Sequence, residues 1–217
     1  MTVRHTRSLR RALGLVAGPL VLLAACNGSV GGPAGGESPA PSGSAARACP
    51  TAQPAALPAG ETRTVTMATT KGLIVIKVEA ELSPIAAGNF VSLAECGYYD
   101  GVVFHRVVPD FVIQGGDPTG TGTGGPGYTI KDEPVTVEYG RGVVAMARTA
   151  QPDSVGSQFF IVTDDAARRA LVSANTYQII GHVTAGMDIA DAITTAAGGE
   201  ELPAQPESMT DVSVTNP

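Results

Sequence analysis

The residues of this chain best suited to chemistry lie in one run, Phe104-His105-Arg106-Val107-Val108-Pro109-Asp110-Phe111-Val112-Ile113-Gln114-Gly115-Gly116-Asp117. It sets one arginine among apolar side chains and follows it with the carboxamide of Gln114. A guanidinium keeps its charge at any working pH and holds its N–H donors in a rigid fork. Such a group can stabilise a lone pair or negative charge that develops only in a transition state. Phe111 and Val112, with Phe160 further along, could supply an apolar pocket beside it. In a strand Phe159 and Phe160 point to opposite faces, so only one of them can join that pocket. Strict alternation would also part Phe111 from Val112 and Gln114. One shared groove therefore needs a bulge or a bent strand start, which Pro109-Asp110 can provide. The plainer alternatives are a surface ion-pair arginine and three core side chains. His105 reads as structural, because alternation turns it away from Arg106.

Other chemistries find little support. Gly120-Thr121-Gly122-Thr123-Gly124-Gly125 formally fits G-x-G-x-x-G, but Pro126-Gly127-Tyr128 follows where a dinucleotide site needs a helix. The stretch reads instead as a flexible loop beside a groove. Past the N-terminus only His105 and His182 remain, too few for a histidine-rich metal site. Ser154 and Ser157 lie near Asp153 with no histidine in reach, so a serine hydrolase lacks its base. The net charge is -6, and without Arg4, Arg7, Arg10 and Arg11 only 10 basic residues face 20 acidic ones. That balance argues against nucleic acid as a partner. No metal and no organic cofactor are expected.

The elements that must position these residues begin near residue 62. Thr64-Val65-Thr66-Met67 and Leu73-Ile74-Val75-Ile76-Lys77-Val78 are β-rich runs separated by Thr70-Lys71-Gly72, which reads as a hairpin. Further strands are expected at 102–107, 111–115, 142–147, 157–163, 178–183 and 211–215. Ser83-Pro84 starts a helix that Gly97 stops, and a second helix is expected around 187–194, ended by Gly198-Gly199. Eight short strands with two helices outside them suggest a mainly β domain, a closed or nearly closed antiparallel barrel.

Ahead of that domain the composition changes twice. A basic start and a 13-residue apolar run, Leu13 to Ala25, suit a signal-peptide core and are short for a membrane span. The run closes in Leu23-Ala24-Ala25-Cys26, which resembles the bacterial lipobox and implies lipidation at Cys26. The alternative is an ordinary signal peptide with a chance cysteine. Residues 26–60 are rich in Gly, Pro, Ala and Ser and read as a disordered tether. The expected organisation is thus a leader over 1–25, a lipid-attached tether over 26–60 and a folded domain over 61–217.

The 104–117 run closely resembles the signature of the cyclophilins, the cyclosporin-binding class of peptidyl-prolyl cis/trans isomerases. Ala145-Met146-Ala147 and Gly156-Ser157-Gln158-Phe159-Phe160-Ile161 resemble two further segments of that family, in the same order. The resemblance implies an eight-stranded antiparallel barrel with two helices, and it implies roles residue by residue. Arg106 matches the catalytic arginine, and Gln114 the glutamine that orients it and the substrate. Phe111 and Phe160 match the aromatics walling a proline pocket, and Val112 falls where methionine is usual. Ala147 and Arg148 match backbone positions along the peptide groove. The family's tryptophan has no counterpart here, since the chain has no Trp. Tyr177 is expected in place of a histidine, and Leu171 or Val172 in the pocket wall.

These likenesses imply an isomerase assisting exported polypeptides through their Pro-containing segments. It would be extracytoplasmic, held to the membrane only by lipid, and monomeric. The alternative is a cyclophilin-like binder of Pro-peptides, a chaperone or adaptor with little turnover. Outside the cytoplasm two cysteines invite a bridge, so Cys49 and Cys96 are either a disulfide or two separate thiols.

Overall fold

The computed structural model describes residues 48–216. The leader, Cys26 and the first part of the tether lie outside the described residues. The core of the fold is one antiparallel sheet of eight strands, curled on itself in the order β3-β4-β6-β5-β7-β2-β1-β8. β1 (Thr62–Thr69) and β2 (Gly72–Glu79) form the expected hairpin, paired along their whole length from Thr62 opposite Glu79 to Thr69 opposite Gly72. β3 (Arg106–Val108), β4 (Val112–Gly115), β5 (Val143–Met146) and β6 (Phe159–Val162) are short. β7 (Ile179–Ala185) and β8 (Met209–Thr215) complete the sheet.

The two edges of the sheet meet through the chain just before β3. Met209 N donates to Val102 O at 2.9 Å, Gly101 N to Met209 O at 2.7 Å and Phe104 N to Glu207 O at 2.8 Å. The strand expected over 102–107 is therefore mostly a closing segment, bridging Val103 to Asp117 and to Ser208, with regular pairing only from Arg106.

Period-two alternation sends Val107, Ile113, Val144, Phe159 and Ile161 into the barrel interior, all fully or almost fully buried. Phe159 is the hub of an aromatic group, with ring centroids 5.2 Å from Phe90 and 5.6 Å from Tyr99. Burying a ring such as Phe90 contributes roughly 1.5–3 kcal/mol. Phe90 is delivered by α1 (Pro84–Glu95), which starts with Pro at its first turn, as expected, and buries Ala86, Phe90, Leu93 and Ala94. Its first amides, Ile85 N and Ala86 N, donate to the carboxylate of Glu133 at 2.8 Å each, a capping contact from outside the helix. α3 (Met187–Ala196) adds Ala190 and Ile193 to the same interior.

Two features differ from the sequence reading. A third helix, α2 (Arg168–Ala174), follows a 3-10 turn over Asp165–Ala167, which is capped by Asp164 Oδ1 accepting from Ala166 N. The tether also ends earlier than residue 60. Cys49 is joined to Cys96 at the end of α1, Leu57 is buried, and Leu57 N donates to Pro84 O at 2.9 Å. The segment can lie on α1 because of Gly88: a Cβ there would stand 2.3 Å from Ala55 O. Among the described residues no helix is long and apolar enough to cross a membrane.

Candidate active site

Register assembles the site. Arg106 stands opposite Gln114, Gln114 opposite Phe160, and Phe160 opposite Ala145, so one transverse row crosses β3, β4, β6 and β5. Their neighbours Val107, Ile113, Ile161 and Val144 form the next row, which faces the interior. The Arg106 row therefore looks outward from the barrel, and Phe159 and Phe160 take opposite faces, as alternation requires. β4 carries no bulge in its pairing with β3 or β6. Pro109, Asp110 and Phe111 lie in the connection before it, with Asp110 at φ 57° and Phe111 N donating to Val108 O at 3.2 Å. Phe111 thus precedes the strand, and its ring joins the outer face beside Val112 without breaking alternation.

A second apolar cluster covers this outer face. Val112, Ala145, Phe160 and Leu171 are buried in it, and Phe111, Ala147 and Tyr177 pack against it half-buried. Leu171 comes from α2, where Val172 is 47% exposed, so Leu171 and not Val172 joins the wall. Tyr177 meets Phe160 edge to face with ring centroids 5.4 Å apart. Its backbone is fixed by Tyr139, whose hydroxyl donates to Tyr177 O at 2.8 Å and accepts from Tyr177 N at 3.1 Å.

At the rim of this cluster Arg106 Nε donates to Glu201 Oε1 at 2.7 Å, and Nη1 donates to Gln114 Oε1 at 3.4 Å. Gln114 Nε2 passes the connection on to Gln158 Oε1 at 3.0 Å. Gln158 Nε2 donates to Gly122 O and Gly124 O at 3.0 Å each. The glycine-rich stretch is consequently pinned rather than loose. Asp117, fully buried, accepts from Thr119 N, Gly122 N and Gly124 N at 2.7, 2.6 and 3.0 Å. Burial opposes the charge on Asp117, but the bonds from Gly124, Thr119 and Gly122 outweigh it and hold its pKa at about 2.

This loop walls a cleft of about 730 Å³ that also takes in Gln114, Ala147, Arg148 and Gln158. The cleft adjoins the apolar cluster, sharing Ala147 with it. The Arg148 guanidinium lies 2.9 Å from Asp132 Oδ2 and donates to Gln151 O at 2.5 Å in the following loop. His105 is buried against the loop at Gly122. Burial lowers its pKa, with the Arg106 charge adding to the effect and Asp117 opposing it. No group of acidic, histidine or cysteine side chains among the described residues could hold a metal ion.

The structure thus brings together Arg106, Phe111, Val112, Gln114, Ala147, Phe160, Leu171 and Tyr177, with Arg148 along the cleft. Sequence reasoning missed Glu201, Gln158 as the link to the loop, and Asp117 as its anchor. An acidic residue just before a glycine run is a signal for such an anchor. Nothing local marks Glu201.

The eight-stranded antiparallel barrel that carries this row and its apolar cluster agrees with the comparisons. The family model "Cyclophilin type peptidyl-prolyl cis-trans isomerase/CLD" matches residues 64–214. The chain belongs to this family of enzymes. Among curated relatives, the peptidyl-prolyl cis-trans isomerase B of Bacillus subtilis is 48% identical over 122 residues, 52% of this chain and 80% of that protein. The isomerase CYP65 of Arabidopsis thaliana is 48% identical over 107 residues, 47% of this chain and 18% of that much longer protein. A cyclophilin type isomerase of Cryptosporidium parvum, solved in the presence of the dipeptide Ala-Pro, superposes with a TM-score of 0.64. It is 29% identical, over 71% of this chain and 99% of that one.

Proposed function

We propose that this chain catalyses cis/trans isomerisation of Xaa-Pro bonds, with Arg106 as the charged donor and Phe111, Val112, Phe160, Leu171 and Tyr177 gripping the proline ring. The prolyl amide has a rotation barrier of about 18–20 kcal/mol because its nitrogen lone pair is delocalised. Twisting the bond returns that lone pair to nitrogen, and a guanidinium aimed at it stabilises the twisted state above the planar one. The observation that carries this reading is the transverse row from Arg106 through Gln114 to Phe160, which sets the donor beside the apolar wall. Gln114 steadies the guanidinium from one side, and Ala147 and Arg148 offer backbone along the cleft.

The substrates we propose are Pro-containing segments of exported polypeptides, met by a monomer held at the outer face of the cytoplasmic membrane through a lipid on Cys26. Support comes from the Leu23-Ala24-Ala25-Cys26 motif after an apolar run, and from the Cys49–Cys96 bridge, a kind of bond favoured by oxidising compartments. Mass spectrometry of the mature N-terminus tests the anchor: a lipidated Cys26 is expected, and an unmodified N-terminus beyond it contradicts the proposal. Exchange NMR on an Xaa-Pro peptide tests the chemistry. Accelerated cis/trans exchange is expected, whereas peptide binding without acceleration would favour an adaptor.

A further inference from the structure

Glu201 lies 95 residues from Arg106 in sequence, in the connection between α3 and β8, yet it makes the shortest contact that Arg106 has. Its backbone is fastened next to the arginine, because Val107 N donates to Glu201 O at 2.9 Å. The carboxylate is therefore delivered to Nε by the fold and not by a wandering surface side chain. With Nε held by Glu201 and Nη1 by Gln114, the guanidinium plane is fixed from two sides. Nη2 is the one nitrogen left without a protein partner among the described residues. The side chains are 31% exposed for Arg106 and 60% for Glu201, so the pair is no structural keystone. A long arginine stem with only the 3.4 Å contact to Gln114 would sample many rotamers.

We propose that Glu201 is a positioning residue for Arg106, holding the guanidinium so that Nη2 is presented to the prolyl nitrogen. The proposal rests on the reading of Arg106 as the charged donor. Removing Glu201 leaves the donor in place but lets it wander, so kcat should fall while KM holds. An exposed pair of this geometry is worth at most about 1 kcal/mol, which is about fivefold in turnover.

The test is a double-mutant cycle on the full chain, read by exchange NMR with an Xaa-Pro peptide. Glu201→Ala should lower kcat about threefold to fivefold with KM and melting temperature unchanged. Glu201→Gln should recover most of that loss, since a carboxamide oxygen still accepts from Nε. In an Arg106→Ala background Glu201→Ala should have no further effect. The Arg106 Nε–H resonance should be sharp in the wild type and broadened by solvent exchange in Glu201→Ala. Turnover unchanged or raised in Glu201→Ala overturns the proposal, as does an equal loss with and without Arg106. If Arg106→Ala alone keeps wild-type turnover, the donor assignment itself fails, and that failure is visible as a different corner of the cycle.

Discussion

Phe160→Ala separates the two things that this ring does. Phe160 is 4% exposed and lies between Ala145 and Gln114 on the outer face, with Tyr177 edge-on at 5.4 Å. Truncating a buried phenylalanine costs about 3–5 kcal/mol, and the lower end applies because the cluster is small and lies outside the main core. About 3 kcal/mol corresponds to a fall of roughly 6–12 °C in Tm for a domain of this size. The same truncation removes part of the wall proposed to grip proline. An aromatic anchor of this kind is worth about 1–3 kcal/mol of binding, so KM should rise at least about fivefold. Circular dichroism gives the first quantity. Exchange NMR at several peptide concentrations, below the lowered Tm, gives the second. A variant that melts early but keeps the wild-type KM would mean that Phe160 is core alone and that the pocket lies elsewhere.

Other perturbations bear on separate parts of the account. Cys96→Ser opens a loop spanned by a sequence separation of 47 residues; in the chain-entropy model this lowers stability by about 4 kcal/mol, measurable as a drop in the urea midpoint. Asp117 has a pKa depressed from 3.8 to about 2, so its contribution is present above pH 4 and lost as pH falls through 2. Melting curves should show that acid slope in the wild type and little of it in Asp117→Asn. Cyclosporin should bind more weakly than to tryptophan-bearing cyclophilins, by roughly 5- to 150-fold for one missing aromatic contact, as read by titration calorimetry.

The strands and the two longer helices were legible because alternation, Pro at a helix start and glycine stops leave marks in the sequence. That Phe159 and Phe160 take opposite faces follows from alternation alone; which of them faces outward was implied only by the family resemblance. Other features leave no such mark. α2 is seven residues long and too short to show a helical period. The order of residues 49–57 depends on one glycine, Gly88, that lets the chain pass over α1, inside a composition otherwise typical of tethers. Glu201 meets Arg106 only because the chain before β3 closes against the start of β8, a contact between distant segments that no local pattern announces. The glycine run looked loose although Asp117, just ahead of it, is a local anchor; its second restraint, the Gln158 side chain, acts from a distant strand and leaves no local mark.

Whether one permanent charge carries the chemistry is decided by kcat/KM for Arg106→Ala and Arg106→Lys against the wild type. A preorganised charged donor is worth about 3–4 kcal/mol of transition-state stabilisation. Arg106→Ala should therefore lose about 100- to 1000-fold in kcat/KM with its Tm intact, and Arg106→Lys should recover little, since an ammonium lacks the planar fork. Near wild-type turnover in folded Arg106→Ala would contradict the account.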